Sequence, residues 1–263
     1  MARLDAELVA RGIARSRERA KEMISAGAVT VNGRTARKAS AEVAEGDEIS
    51  SSEQELYVGR GALKLEKALD VFGIDPEGMV CIDIGASTGG FTDLLLKRGA
   101  ERVYAVDVGH GQLADTLRSD SRVVNMEGTD IRSLSPENTG GRADFICADV
   151  SFISLAPVLP VIRELMKENG CAAILIKPQF EAGRKDIGKH GIVKDRKVHV
   201  RVLNEIDSFA RSIGLVPEKY TWSPVKGGSG NIEYLVKLTT GEDSAALPAQ
   251  DFRRLVDEAF GEL

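Results

Sequence analysis

Two lysines and two carboxylates lie where this sequence is able to form a reaction site. Asp149 and Lys177 each end an apolar strand pattern, Glu233 begins the last strand pattern, and Lys64 lies in a helical pattern before the first strand. Because parallel strands bring their carboxyl ends to one edge of a sheet, we expect Asp149 and Lys177 to converge there. Such a lysine acts as a base if its pKa falls, and as a cation it offsets negative charge on an oxygen. The alternative is a structural ion pair, since an unpaired buried lysine is costly.

A glycine-rich turn follows the first buried strand pattern, in the run VCIDIGASTGGFTD at 80–93. Its glycines let backbone approach a ligand closely, but the run is neither a Walker A motif nor a complete GxGxxG motif. Asp107 is predicted to end the second strand, where an acid accepts hydrogen bonds from ribose hydroxyls. A dinucleotide needs a pyrophosphate cradle at the helix N-terminus, whereas S-adenosylmethionine has no phosphate. The pattern therefore resembles a class I methyltransferase more than a dehydrogenase. A doubly wound sheet without a cofactor is the alternative.

Strand and helix patterns alternate after residue 79, which predicts an α/β fold with a mostly parallel sheet. Two further strand patterns late in the chain predict an antiparallel edge. With these, the resemblance implies a Rossmann-like class I methyltransferase fold with seven strands. The expected strands are 79–84, 102–107, 122–126, 144–149, 171–177, 215–222 and 232–239, and the expected helices are 62–71, 90–98, 112–118, 154–168, 195–213 and 248–260.

The first 50 residues have a different pattern, with two short helices, the second capped by Ser16, and then a strand that runs into Asn32-Gly33. An Asn-Gly pair is a strong hairpin signal. The order of elements resembles the small α+β RNA-binding fold named for ribosomal protein S-four.

The same region is basic. Between residues 11 and 38 there are eight Lys and Arg and two Glu, a local charge balance of +6. Such a patch binds phosphates; a solvated helix face is the alternative. The resemblance implies that RNA contacts Arg15, Arg17, Arg19, Lys21 and Arg34. We expect a polar linker at 50–54, and domains at 1–54 and 55–263.

The order Lys64, Asp149, Lys177, Glu233 resembles the tetrad of the FtsJ-type ribose 2′-O-methyltransferases. With the N-terminal module, the segments at 57–65, 177–181, 187–193 and 223–233 resemble the hemolysin-A-like (TlyA) family of ribosomal RNA methyltransferases over nearly the whole chain. The resemblance implies methyl transfer from S-adenosylmethionine to a ribose 2′-hydroxyl of ribosomal RNA, free or in a ribosomal subunit. It makes the tetrad catalytic and requires no metal. It implies a cofactor site formed by Asp83, Gly85, Ser87, Thr88, Gly89, Phe91, Asp107, Val108, Asp130, Ile131 and Asp149.

Two of these assignments have alternatives. Asp130 is expected to accept a hydrogen bond from the adenine amino group, or else to cap a helix. Lys64 is able to lower the pKa of Lys177, whereas Asp149 and Glu233 would raise it, so Lys177 is either a base or a charged group that orients the hydroxyl.

A second basic segment follows Lys177 directly. Residues 183–201 contain seven Lys and Arg against two Asp, a formal balance of +5. We expect Arg184 and Lys189 in it to bind RNA at the mouth of the site; a solvated loop and helix face is the alternative.

Composition excludes several classes of protein. The chain has 263 residues, 43% of them hydrophobic, and a net charge of −5, which indicates a globular fold. Its three cysteines have no CxxC spacing and its three histidines have no metal-ligand spacing, so we expect no bound metal. The N-terminal residues do not have the pattern of a signal peptide, so we expect a cytoplasmic protein. No apolar run approaches the roughly 20 residues that span a bilayer.

Three other functions compete with this interpretation. A base methyltransferase is disfavoured because 149–152 reads DVSF and has no Asn/Asp-Pro-Pro-Tyr/Phe motif. A membrane-active cytolysin, as the family name suggests, would need a spanning or basic amphipathic helix. An RNA-binding protein with an inactive methyltransferase domain is disfavoured by the intact glycine loop and tetrad.

Overall fold

The computed structural model describes residues 2–11, 13–14, 17–51, 57–241 and 250–263. The chain divides into two compact units, Met1–Val58 and Gly59–Leu263, which are described one at a time. The predicted boundaries at 1–54 and 55–263 stay a prediction.

The N-terminal unit packs two helices against short strands. Leu4, Leu8, Met23, Ile24 and Val29 form its apolar core, each 2% exposed or less. The predicted hairpin is present, with Asn32 at φ +51° and Gly33 at φ +74°, the left-handed pair that a two-residue turn requires. In chain order the elements are β1 (Ala2–Arg3), α1 (Leu4–Ala10), α2 (Arg17–Ser25), β2 (Val29–Val31), β3 (Arg34–Thr35), β4 (Glu42–Val43) and β5 (Ile49–Ser51). Strand β5 pairs with β2 and occupies the start of the predicted linker, while Ser16 lies outside the described residues.

The second unit alternates strands and helices, as predicted. Its elements are α3 (Ala62–Phe72), β6 (Val80–Ile84), α4 (Gly90–Lys97), β7 (Arg102–Asp107), α5 (Asp115–Arg118), β8 (Val123–Glu127), β9 (Ala143–Ala148), α6 (Leu159–Leu165), β10 (Met166–Ile176), α7 (Pro178–Glu181), α8 (Arg196–Ser212), β11 (Leu215–Trp222), β12 (Tyr234–Thr240) and α9 (Phe252–Glu262). Three single 3-10 turns, Ile131–Ser133, Arg184–Asp186 and Lys189–Gly191, lie between them.

One seven-stranded sheet organises this unit, in the order β11-β12-β10-β9-β6-β7-β8. Strands β6 to β10 pair in parallel, and β12 runs antiparallel between β10 and β11. The central strands are buried on both faces and read as nearly continuous apolar runs, as parallel strands do. The α/β prediction, with a mostly parallel sheet and an antiparallel edge, is confirmed.

The helix predicted over 154–168 is wrong at both ends. The helix spans only Leu159–Leu165, and β10 begins at Met166, five positions before the predicted strand. Proline is tolerated in the first turn of a helix but not in its interior, and Pro160 lies in the first turn of α6. The residues before it therefore form a loop that reaches the sheet edge.

Two other predicted helices are shorter than expected. The helix predicted at 112–118 is reduced to Asp115–Arg118, because Glu127 accepts hydrogen bonds from the backbone N–H groups of Gln112 and Leu113 and holds that segment as a turn. The closing helix begins at Phe252, where the Asp251 carboxylate caps it; Pro248 lies outside the described residues.

Candidate active site

The fold brings the four predicted catalytic residues to one edge of the sheet. Asp149 follows β9 and Lys177 follows β10, its parallel neighbour. Because β12 is antiparallel to β10 and pairs Tyr234 with Ile176, Glu233 arrives at the same edge from the opposite direction. Helix α3 supplies Lys64 from one of its buried positions.

The side chains form a chain of alternating charge. Lys64 Nζ donates to Glu233 Oε2 at 2.7 Å and to Asp149 Oδ2 at 3.2 Å. Lys177 Nζ lies 2.5 Å from Asp149 Oδ1 as an ion pair and donates to Ser151 Oγ at 2.8 Å. The four side chains are between 3% and 19% exposed. Because each charged group lies next to one of opposite sign, their attraction compensates the free-energy cost of removing each charge from water.

Electrostatics keeps two members of this chain ionised. Burial alone would lower the pKa of the Lys64 ammonium, but the Asp149 and Glu233 carboxylates outweigh burial and raise it. Burial alone would raise the pKa of Asp149, but Lys64 and Lys177 outweigh it and lower it. Lys64 is therefore a permanent cation, and Asp149 a permanent anion, near neutral pH.

The tetrad lines a cavity of about 520 Å³, here called the tetrad cavity. Gln179 Nε2 donates to Glu233 Oε1 at 3.0 Å in its wall. The remaining lining residues are Gly85, Ser87, Ser151, Phe152, Phe180, Ile187, Gly191, Gly228 and Ser229.

A second cavity of about 490 Å³, the glycine-loop cavity, lies beside it. Seven of the predicted cofactor residues line this cavity: Gly85, Ser87, Asp107, Val108, Asp130, Ile131 and Asp149. The two cavities share five lining residues: Gly85, Ser87, Asp149, Ser151 and Phe152. A group bound in one cavity therefore meets a group bound in the other beside Asp149.

Gly85 is the position in the loop where a side chain would collide with the end of a neighbouring strand. It has φ +82°, and a Cβ there would lie 2.6 Å from the Asp149 carbonyl oxygen. The backbone of β6 thus passes directly against the end of β9, which is possible only for glycine.

The Asp107 carboxylate is oriented by the loop backbone. Its Oδ2 accepts from the N–H of Ser87 at 2.8 Å, and its Oδ1 accepts from the N–H of Gly109 at 2.7 Å. An ionised carboxylate has about four acceptor positions, so capacity for ligand hydroxyls is left.

Asp130 caps the turn Ile131–Ser133. It accepts from the N–H of Arg132 at 2.9 Å and pairs with the same residue's guanidinium, which holds the pKa of Asp130 down at about 2. The helix-cap interpretation is thus observed, while a contact with adenine stays a prediction. Arg132 and Gln112 also line the glycine-loop cavity, and neither was identified from the sequence.

The remaining predicted cofactor residues, Asp83, Thr88, Gly89 and Phe91, do not line the glycine-loop cavity. Asp83 is fully buried, and its Oδ2 accepts from the backbone N–H and the hydroxyl of Thr92, at 2.9 and 2.7 Å. Burial raises the pKa of Asp83 to about 7, although the Thr92 hydrogen bonds oppose the shift. This carboxyl group anchors the first turn of α4. Gly89, at φ +94°, packs against Leu117.

Phe152 is the lining residue that sequence patterns missed most completely. It is 91% exposed and has φ +63°, an unusual conformation for a bulky residue. Its ring lies 5.1 Å from the Phe180 ring at an angle of 48°. Hydrophobic periodicity finds buried aromatic residues and carries no signal for one that is held in solvent.

The predicted RNA-binding residues of the N-terminal unit differ in their contacts. Arg17 pairs with the buried Asp5 at 3.0 Å, and Arg19 with Glu22 at 3.3 Å. Lys21 and Arg34 are exposed. Arg15 lies outside the described residues.

In the sheet unit, Arg184 and Lys189 are exposed and begin the two 3-10 turns at 184–186 and 189–191. These turns adjoin Ile187 and Gly191 in the wall of the tetrad cavity, so the basic segment borders the site. Arg201, by contrast, pairs with Asp186 inside the unit.

Among the residues that the structure describes, no three His, Cys, Asp or Glu side chains are grouped as metal ligands are. No helix in the described ranges is long and apolar enough to cross a membrane.

Comparison with known proteins identifies both units. The model of the FtsJ-like methyltransferases matches residues 57–240, and that of the S4 domain matches residues 2–49. The chain is 46% identical to "Putative rRNA methyltransferase YqxC" of Bacillus subtilis over 98% of this chain and 93% of the relative. It is 44% identical to "16S/23S rRNA (cytidine-2'-O)-methyltransferase TlyA" of Mycobacterium tuberculosis over 99% and 98%. The solved structure "Putative hemolysin from Streptococcus thermophilus" superposes with a TM-score of 0.80 at 42% identity, over 99% and 96%.

Proposed function

Because this chain belongs to the FtsJ-like methyltransferase family, we propose that it transfers a methyl group from S-adenosylmethionine to a ribose 2′-hydroxyl of ribosomal RNA. One observation carries the proposal: the glycine-loop cavity and the tetrad cavity meet beside Asp149 and Lys177. Donor and acceptor bound in adjoining cavities are held in line, as methyl transfer requires.

The glycine-loop cavity fits S-adenosylmethionine. Gly85 lets the loop lie directly against the end of β9, which brings the loop next to Asp149. Asp107 keeps acceptor capacity for the two ribose hydroxyls, and Val108 and Ile131 supply apolar surface for adenine. When bound, S-adenosylmethionine supplies an electrophilic methyl group. Asp83, Thr88, Gly89 and Phe91 would support this site by shaping the loop.

The tetrad would act on the acceptor oxygen. An ammonium group has three protons; Lys177 Nζ pairs with Asp149 and donates to Ser151, which leaves at least one N–H for the ribose hydroxyl. If Lys177 is neutral, its amine accepts the proton of the ribose hydroxyl as the methyl group arrives. If Lys177 is charged, it orients the hydroxyl and offsets negative charge on the oxygen while the proton passes to water. Lys64, a permanent cation, holds Asp149 and Glu233 in place.

RNA capture would be divided between the two units. The N-terminal unit would grip structured RNA through Lys21, Arg34 and their basic neighbours, and Arg184 and Lys189 would guide the strand to the mouth of the site. Stacking of one base on an aromatic side chain contributes about 1–3 kcal/mol, and Phe152 presents such a face beside the junction. With ribosomal RNA as substrate, the protein would work in the cytoplasm.

The test is methyl transfer from labelled S-adenosylmethionine to ribosomal subunits and to naked ribosomal RNA. Reverse transcription that stalls at low dNTP then locates the modified nucleotide. Lys177→Ala should abolish transfer while calorimetry shows cofactor binding retained. Label on a base, or activity of Lys177→Ala within a few-fold of wild type, would contradict the proposal.

A membrane-active protein is a second candidate, because the similar Streptococcus thermophilus protein is named a hemolysin. Dye leakage from vesicles, measured beside methyl transfer with the same preparation, separates the two. Leakage that persists in Lys177→Ala would be independent of the tetrad.

A further inference from the structure

The loop that carries Phe152, residues 151–155, has a conformation that its own sequence does not explain. A non-glycine residue in the left-handed region costs of the order of 1–3 kcal/mol and persists only where surrounding contacts impose it. Phe152 is nearly fully exposed, so burial of its ring does not impose it. The contacts that hold the loop must come from its neighbours.

One carboxylate supplies two of these contacts. Ser154 Oγ donates to Glu181 Oε2 at 2.7 Å, and the backbone N–H of Leu155 donates to Glu181 Oε1 at 2.8 Å. Both donors lie within three residues of Phe152. Glu181 thus binds the loop through both of its oxygens.

The position of Glu181 in the chain links this contact to the tetrad. It is the last residue of α7, the single turn that follows Lys177. From the same segment Gln179 donates to Glu233, and the Phe180 ring packs against Phe152. The segment 177–181 therefore sets the catalytic lysine and the exposed aromatic ring relative to each other.

We propose that Glu181 is a positioning residue that holds the Phe152 ring in the place where it receives the base of the acceptor nucleotide. The inference rests on the proposed function. Glu181 touches neither the cofactor nor the reacting atoms, since it lines neither of the two cavities. It acts through Ser154 and Leu155.

The burial of Glu181 argues against a merely incidental surface contact. Burial raises the pKa of this carboxyl group, although its bonds to Ser154 and Leu155 oppose the shift. A half-buried carboxylate costs free energy that an apolar residue at the same place would not. The Glu181 carboxylate instead forms two directional hydrogen bonds with the loop, one with the Leu155 backbone N–H and one with the Ser154 hydroxyl.

The test separates loop order from catalysis by placing a reporter at Phe152. The chain has one tryptophan, so Trp222→Phe with Phe152→Trp reports on the loop alone. Glu181→Ala in that background should lower the fluorescence anisotropy of the introduced tryptophan in the RNA-free protein, and Glu181→Gln, which keeps an acceptor for the Leu155 N–H, should restore most of it. Glu164→Gln, which removes an exposed carboxylate from helix α6, is the matched control and should leave it unchanged.

In the wild-type background, Glu181→Ala should lower kcat/KM for RNA about tenfold while the Kd for S-adenosylmethionine stays within twofold. Ser154→Ala removes one of the two bonds and should have a smaller effect in the same direction, which serves if Glu181→Ala does not fold. Unchanged anisotropy, or equal losses in RNA turnover and cofactor affinity, would overturn the inference. If the wild-type protein methylates no ribosomal RNA, the proposed function fails, whereas the anisotropy still decides whether Glu181 orders the loop.

Discussion

Removal of Lys64 should destabilise the sheet unit strongly, because it leaves the Asp149 and Glu233 carboxylates without the ammonium group that binds both. The ammonium lies 2.7 Å from Glu233 and 3.2 Å from Asp149. At an effective dielectric constant of about 20, these contacts amount to about 6 and about 5 kcal/mol of Coulomb attraction. Desolvation of the three groups offsets most of that sum, and loss of one partner from a buried pair typically costs about 3–5 kcal/mol.

Lys64→Met is the appropriate substitution, since it keeps the volume of the side chain. For a unit of this size, 1 kcal/mol corresponds to roughly 2–4 °C in Tm, so we expect a loss of roughly 6–20 °C. The double variant Lys64→Met/Glu233→Gln removes one cation and one anion together and should recover part of that loss. Thermal unfolding followed by circular dichroism measures all variants.

Lys97→Met is a matched control for this experiment. Lys97 also pairs with a carboxylate, Asp93, at 2.9 Å, but the lysine side chain is 51% exposed, so water compensates much of what this pair contributes. If Lys64→Met lowers Tm no more than Lys97→Met does, the four side chains do not form a coupled buried network. If the double variant is less stable than wild type by the sum of the two single losses, Lys64 and Glu233 are independent.

Three further predictions concern the cofactor site, the buried acid and RNA capture. Asp107→Ala should weaken S-adenosylmethionine binding by about 1–3 kcal/mol, the scale of a missing hydrogen bond to a charged acceptor, and an unchanged Kd by calorimetry would remove Asp107 from the site. Asp83 has a pKa of about 7 in the folded protein against an ordinary value of 3.8, so the free energy of unfolding of the wild type should fall as pH rises from about 4 to about 7. Urea unfolding of Asp83→Asn should show a weaker dependence of that free energy on pH. Parallel pH profiles of the two proteins would contradict this. Substitution of Lys21 and Arg34 with Ala should weaken RNA binding and flatten its salt dependence by up to roughly one log–log unit for each phosphate that the protein no longer neutralises. If anisotropy titrations of this variant across a salt series match those of the wild type, the patch is a solvated surface.

The strand ends of the site were predictable because their signal is local. Each parallel strand is an apolar run that ends in a polar residue, and parallel strands share one edge. Asp149 and Lys177 follow from that rule alone. Glu233 and Lys64 depended on resemblance, since neither an antiparallel strand nor a helix before the sheet has a defined end at that edge.

The parts that could not be predicted depend on interactions between distant residues. The helix expected from residue 154 does not start there, because Glu181 holds Ser154 and Leu155 in a loop, although Pro157 and Pro160 were local signals against a helix interior. Thr92 donates two hydrogen bonds to Asp83 Oδ2 inside the fold, a contact that no local pattern indicated, and the cofactor role of Asp83 stays a prediction. Arg17 is in a basic run by sequence, but in the fold its guanidinium donates to the buried Asp5.

The position of β12 between β10 and β11 has a consequence for how the protein becomes active during synthesis. The bond between Lys64 and Glu233 spans 169 residues, and β12 adds to the sheet inside its edge, not at the end. Interactions so distant in sequence form late, since loop closure must precede them. A chain still emerging from the ribosome would hold β6 to β9 with an open sheet and an incomplete tetrad. Activity would therefore begin only after Glu233 has been made.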